Sequence, residues 1–146
     1  MSLEILQAKS ELRELVDAFS NLGDEKRISE QVLLFTPDGR YKVYFGEQLV
    51  SDISGRKQLE EEFTGHASIV KRYFSLNGQH NVKVGGNTAT GVSYSQLKMV
   101  RDEDGKEVIT DYSVRYDDEY ELQNGTWLIK ERVAHFIIIE AKPLQD

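Results

Sequence analysis

The chain has 146 residues, 39% hydrophobic and 29% charged, the size and balance of one globular domain with one core. It has no cysteine, which excludes a disulfide framework and any thiolate nucleophile or ligand. A net charge of −7 with no basic stripe argues against nucleic acid, whose phosphates require clustered Lys and Arg.

No apolar run is long enough for a transmembrane helix, and Glu4 stands where a signal peptide carries positive charge. The expectation is a cytoplasmic protein without membrane contact. Ile5, Leu12, Leu15, Val16, Phe19 and Leu22 recur at helical spacing, with Ser2 to cap the helix and Gly23 to end it. Asp24 is positioned to cap a short second helix through Ile28. Leu33-Leu34-Phe35 runs into the turn Thr36-Pro37-Asp38-Gly39, and Arg40 to Phe45 reads as a short strand. Ser54 and Gly55 open a third helix, Arg56 to Phe63.

Four long strands are expected next, about Arg72–Val84, Thr88–Arg101, Glu107–Gln123 and Thr126–Glu140. Turn residues separate them, and Asn124-Gly125 is the strongest hairpin signal. Strands of this length twist, and Gly78 and Gly91 suggest bulges or bends within them. The expected fold is α+β: an antiparallel meander curved around a concave face that the N-terminal helices cover. Such an arrangement encloses a small-molecule pocket.

A two-residue turn at Asn124-Gly125 fixes the register of the last hairpin. One face then carries Tyr112, Val114, Tyr116, Asp118, Tyr120 and Leu122, with Trp127, Ile129, Glu131, Val133, His135 and Ile137 opposite. The other face pairs Glu119 with Lys130 and Asp117 with Arg132. Asp118 therefore meets Glu131 on an apolar face, where two carboxylates raise one pKa toward the range of a general acid or base. The alternatives are a bulge in Tyr116-Asp117-Asp118-Glu119 that turns one carboxylate out to water, or a position at the sheet rim. His80 and His135 read first as packed strand residues, with His80 able to point inward beside Ser93. His66 reads as an exposed loop residue. No His and carboxylate spacing suits a metal, and there is no phosphate loop or nucleophile elbow.

Phe35-Thr36-Pro37-Asp38-Gly39, Asn77-Gly78-Gln79 with Gly86-Asn87-Thr88-Ala89-Thr90-Gly91, and Arg115-Tyr116-Asp117-Asp118-Glu119-Tyr120 leading to Asn124-Gly125-Thr126-Trp127 and Arg132 occur in that order. In this the chain resembles the SnoaL-like branch of the nuclear-transport-factor-2-like superfamily. The resemblance implies a cone-shaped α+β fold of one domain, a deep pocket, acid–base chemistry without a cofactor, and homodimers or homotrimers. It places the His of the dehydratases at Phe74 or Ser75, and Phe19 where the first helix often has Tyr, with Asn21 or Asp24 as the nearest polar residue. Asp118 matches the family's Tyr-x-Asp, and Arg132 an Arg that some relatives turn into the pocket. Two functions stay open. One is a lyase, isomerase or cyclase acting on a small, mostly apolar or aromatic molecule. Its catalytic group would be Asp118, Tyr116, His80 and Glu131, in a pocket lined by Phe19, Ser75, Ser93, Tyr112, Tyr120, Trp127, Arg132 and His135. The other is a ligand-binding or dimerisation module without the catalytic His.

Overall fold

In the first helix, α1 (Leu3–Asp24), the buried residues Ala8, Leu12, Leu15, Val16 and Phe19 form one stripe. The computed structural model describes residues 2–145. Ser2 caps α1, its Oγ accepting from the Ile5 amide at 3.2 Å. The helix runs on through Gly23 and closes at Glu25. A one-turn helix α2 (Ile28–Gln31) and a 3-10 turn (Val32–Leu34) follow. Asp24 does not cap α2, because its carboxylate accepts from Ser75 on a distant strand. Helix α3 (Arg56–Ile69) extends past Phe63 and takes Gly55 as its N-cap. Ser54 is instead the last residue of a strand. None of the described helices is long and apolar enough to cross a membrane.

Among the described residues six strands make one sheet: β1 (Phe35–Phe45), β2 (Gln48–Ser54), β3 (Arg72–Gly85), β4 (Thr88–Glu103), β5 (Lys106–Gln123) and β6 (Thr126–Pro143). Their order is β2-β1-β6-β5-β4-β3, with β2 and β3 as open edges. The meander β3 to β6 is antiparallel, as expected. Strand β2 was not foreseen. β1 begins at Phe35, so Pro37-Asp38-Gly39 is an irregular stretch inside a strand rather than a turn before one. β1 also lies parallel to β6, so the sheet is mostly rather than wholly antiparallel. Parallel neighbours need a long crossover, and everything from β2 to β5 supplies it.

Bulges bend the sheet in β2 at Val50, opposite Val43/Tyr44, in β3 between Asn77 and His80, and twice in the β5–β6 pair. Gly78 lies in the β3 bulge. Gly91 does not mark a bulge, because β4 is paired without a break around it. There the glycine allows a close approach: a Cβ would sit 2.8 Å from Tyr120 Cε2 and 3.3 Å from His80 Nε2. Helix α1 covers the concave face along β3. It is tied there by Arg13 Nη1 donating to the Gly78 carbonyl at 2.8 Å and by Asn77 Nδ2 donating to Asp17 at 2.9 Å.

The last hairpin corrects the expected register halfway along. Asn124 (φ 51°) and Gly125 (φ 79°) form the turn, and Gln123–Thr126 through Tyr120–Ile129 pair as expected. Lys130 is then skipped, so that Glu119 meets Glu131 and Asp118 meets Arg132. The bulge exchanges the two faces of β6. Arg132, Ala134 and Phe136 become buried, while Glu131 and His135 turn outward. The physical reason is charge. The unbulged register would press two carboxylates together in a dry site and leave Arg132 and Phe136 in water. The bulged one gives Asp118 a guanidinium and buries the phenylalanine.

Candidate functional site

The concave face, α1, α2, α3 and β1 enclose a cavity of about 580 Å³, a size that suits a small organic molecule. Its floor is Leu97 and Met99 of β4, Tyr112 and Tyr116 of β5 and Phe136 of β6. Phe19, Tyr41 and Phe63 close it from above with edge-on and tilted ring contacts. Phe45, Val50, Ile69 and Phe74 line it and are also exposed, which marks the mouth.

A few polar groups interrupt this apolar wall. Asp24 Oδ1 accepts from Ser75 Oγ at 2.6 Å, and its Oδ2 accepts from the Ser75 amide at 2.8 Å. Gln31 Nε2 donates to the Phe19 carbonyl at 2.9 Å. His66 Nδ1 lies 2.6 Å from the Tyr73 hydroxyl. Burial holds the Tyr41 and Tyr116 hydroxyls above the ordinary phenol range, so both stay protonated donors.

Behind the Phe19 and Tyr116 rings lies a buried charged chain. Arg132 is 1% exposed and Asp118 4%. Arg132 Nε donates to Asp118 Oδ1 at 3.1 Å, and Nη2 to Ser93 Oγ at 3.3 Å. The guanidinium lies 4.4 Å from the Phe19 ring centroid and 3.6 Å from that of Tyr116. Its Nη1 is buried with no partner. Tyr120 donates to Asp118 Oδ2 at 2.7 Å, and His80 Nε2 lies 3.0 Å from the Tyr120 oxygen. Because the phenol proton goes to Asp118, His80 is assigned as the Nε2–H donor.

Burial pushes the Asp118 carboxyl up from its ordinary value, against the Arg132 charge and the Tyr120 and Arg132 hydrogen bonds. Burial also works against the Arg132 charge, but Asp118 and the phenols of Tyr116 and Tyr120 outweigh it. A guanidinium does not give up its proton, so Asp118 is its buried counter-ion. Burial, with Arg13 and Arg132, pushes the His80 imidazole down to about 4.

Of the residues expected in the pocket, Phe19, Ser75, Tyr112 and Tyr116 line the cavity. Asp118, Tyr120, Ser93, Arg132 and His80 form the chain behind its floor. Trp127 is buried opposite Leu122 but does not reach the cavity. Glu131 lies on the outer face, 4.0 Å from Arg40. His135 is outside too, stacked on Tyr44 and 3.1 Å from Asp117. Both corrections follow from the Lys130 bulge, which also moves Arg132 inside, away from Asp117. His66 belongs to α3 rather than to a loop. Tyr41 and Gln31 were missed. The signal for Tyr41 would have been the alternation of a strand begun at Phe35.

The sequence matches the SnoaL-like domain over residues 4–133. The chain belongs to the SnoaL-like domain family. No curated protein sequence matches it significantly. Among solved structures it is similar to a candidate scytalone dehydratase of Novosphingobium aromaticivorans DSM 12444, with 16% identity, a TM-score of 0.81 and coverage of 100% of this chain and 93% of that one. It is similar to the hexachlorocyclohexane dehydrochlorinase LinA type 3 of Novosphingobium barchaimii LL02 at 13% identity and TM-score 0.81, over 97% and 93% of the two chains. It is also similar to the β subunit of a candidate aromatic-ring-hydroxylating dioxygenase of N. aromaticivorans, at 20% identity and TM-score 0.79, over 96% and 99%. Identities this low establish the shared fold and leave the chemistry to the site.

Proposed function

We infer that this SnoaL-like domain binds a small, mostly apolar molecule in its cavity and performs cofactor-independent acid–base chemistry on it, of the lyase or isomerase kind. The observation that carries this reading is the Asp24–Ser75 pair in a cavity whose other walls are mostly aromatic and aliphatic and include the protonated Tyr116. Asp24 is the base: it takes a proton from a carbon next to a carbonyl or leaving group. Tyr116 donates to the oxygen on which charge develops. In an isomerisation Asp24 returns the proton to another carbon; in an elimination the leaving group departs with the bonding pair. Arg132 stacks on Tyr116, and Asp118 holds Arg132. Asp118 thus serves as the counter-ion of the site, and His80 and Tyr120 fix Asp118. The names dehydratase and dehydrochlorinase among the structural neighbours both describe eliminations.

A second reading is favoured by Ser75 itself. It occupies a position where the resemblance puts a His, and a serine does not carry a proton to and fro at neutral pH. On that reading the cavity binds without reacting. Exchange of the enolisable protons of β-tetralone in deuterated water, followed by NMR, separates the two. Acid–base function predicts exchange faster than in buffer, abolished in Asp24→Asn while binding persists. Saturable binding with no exchange above buffer would leave only the binding module.

A further inference from the structure

The cavity has two polar ends. At one, Tyr116 and Tyr41 line the wall and Arg132 lies behind it with Nη1 unpaired. At the other are Tyr112, Tyr73 and His66. Behind Tyr112 stands Arg101 of β4, whose Nη2 is 3.4 Å from the Tyr112 oxygen and whose Nε is buried with no partner. Its charge also bears on the Tyr73 hydroxyl and on His66.

Tyr112 and Tyr116 share one face of β5 four positions apart, roughly 13 Å along the strand. The wall beside them is Leu97, Met99 and Phe136, which offer no polar group. Each end thus has a phenol at the wall and, behind it, a guanidinium with one nitrogen that has no hydrogen-bond partner. Neither guanidinium lines the cavity, so a ligand there meets the phenols: Tyr112 accepts from Arg101 and keeps its own O–H to donate, and Tyr116 donates with the Arg132 charge behind its ring. The carboxylates of the cavity do not compete for these donors, since Asp24 is held by Ser75 and Glu62 by Ser51.

We propose that the ligand carries an acceptor oxygen at each end of an apolar body about two rings long. One oxygen accepts from Tyr116, with the Arg132 charge behind it, and the other from Tyr112, with the Arg101 charge behind it. This rests on the reading of the cavity as the ligand site and names the chemical class that fits it. It makes Arg101 a specificity-determining residue.

The test is calorimetric titration of the full chain with para-biphenylcarboxylate and para,para′-biphenyldicarboxylate. The dicarboxylate is expected to bind at least about tenfold tighter. Arg101→Gln should erase that advantage and leave the monocarboxylate affinity within about twofold. Tyr112→Phe, which removes only a hydroxyl, should reduce the advantage in the same direction and serves if Arg101→Gln melts too low to use. Equal affinities in the wild type, or an advantage that survives the usable variants, would overturn the proposal and leave the cavity as a ligand site. Failure of both probes to bind would overturn the two together.

Discussion

Arg132 and Asp118 face each other across β6 and β5 with Nε 3.1 Å from Oδ1, and almost no part of either reaches solvent. This pair exists because β6 skips Lys130. It reverses the expected energetics of Asp118. Opposite Glu131, neutralising Asp118 would have relieved repulsion; opposite Arg132, it strands a buried cation. Asp118→Asn should therefore destabilise the fold by about 3–5 kcal/mol, read as a lower urea midpoint. The double change Asp118→Leu with Arg132→Met should recover much of the loss. An unchanged or higher midpoint for Asp118→Asn alone would contradict the pairing.

Gly91 leaves room for the Tyr120 ring. A Cβ there would lie 2.8 Å from Cε2 and 2.9 Å from the hydroxyl oxygen. Gly91→Ala should cost about 1–3 kcal/mol, measured by thermal unfolding. Most of that cost should vanish when Tyr120 is first replaced by Leu. A cost independent of residue 120 would mean that backbone preference, not contact, selects the glycine.

His80 makes a pH prediction. Burial, Arg13 and Arg132 push it down to about 4, while Asp17 pulls it up. Its unfolded value is about 6.5, so over the interval between the two the unfolded chain binds more protons. The stability this gives is full above about pH 6.5 and is lost as pH falls toward about 4. Comparison with His80→Gln, which keeps a donor for Tyr120, isolates the histidine. Urea midpoints should fall more steeply in the wild type than in His80→Gln between about pH 7 and about pH 4.5. Parallel curves would mean that His80 titrates as it does in the unfolded chain.

Much of this architecture is written in local signals. Asn124-Gly125 sets the hairpin register as far as Tyr120–Ile129, and the stripe from Ala8 to Phe19 places α1. The site is less legible, for reasons that are not local. Lys130 carries no mark of a bulge, since the choice is made by what the next residues can bury: Arg132 against Asp118, and Phe136 in the cavity floor. Asp24 looks like a cap because it follows Gly23. Only the long-range contact with β3 keeps the helix going and hands its carboxylate to Ser75. Tyr41 was hidden by Pro37-Asp38-Gly39, which reads as a turn and is accommodated within β1.

Ile137, Ile138 and Ile139 lie past the point where β1 ends beside β6, and they are 58%, 60% and 44% exposed. Apolar side chains exposed on both faces of a strand call for cover. Sedimentation at micromolar concentration should give a homodimer or homotrimer, and Ile138→Lys should shift it toward monomer. A wild-type monomer mass would remove the basis for this assembly.

The central claim is that the space between Phe19, Tyr41, Tyr116 and Leu97 is a ligand site. Calorimetric titration of β-tetralone into the wild type and into Leu97→Trp tests it most directly, because Leu97 lies in the cavity floor and the larger side chain takes up the cavity space. The account predicts saturable one-to-one binding to the wild type, weakened about tenfold or more in a Leu97→Trp protein of unchanged melting temperature. Equal binding to both proteins, or no saturable binding to the wild type, would contradict it.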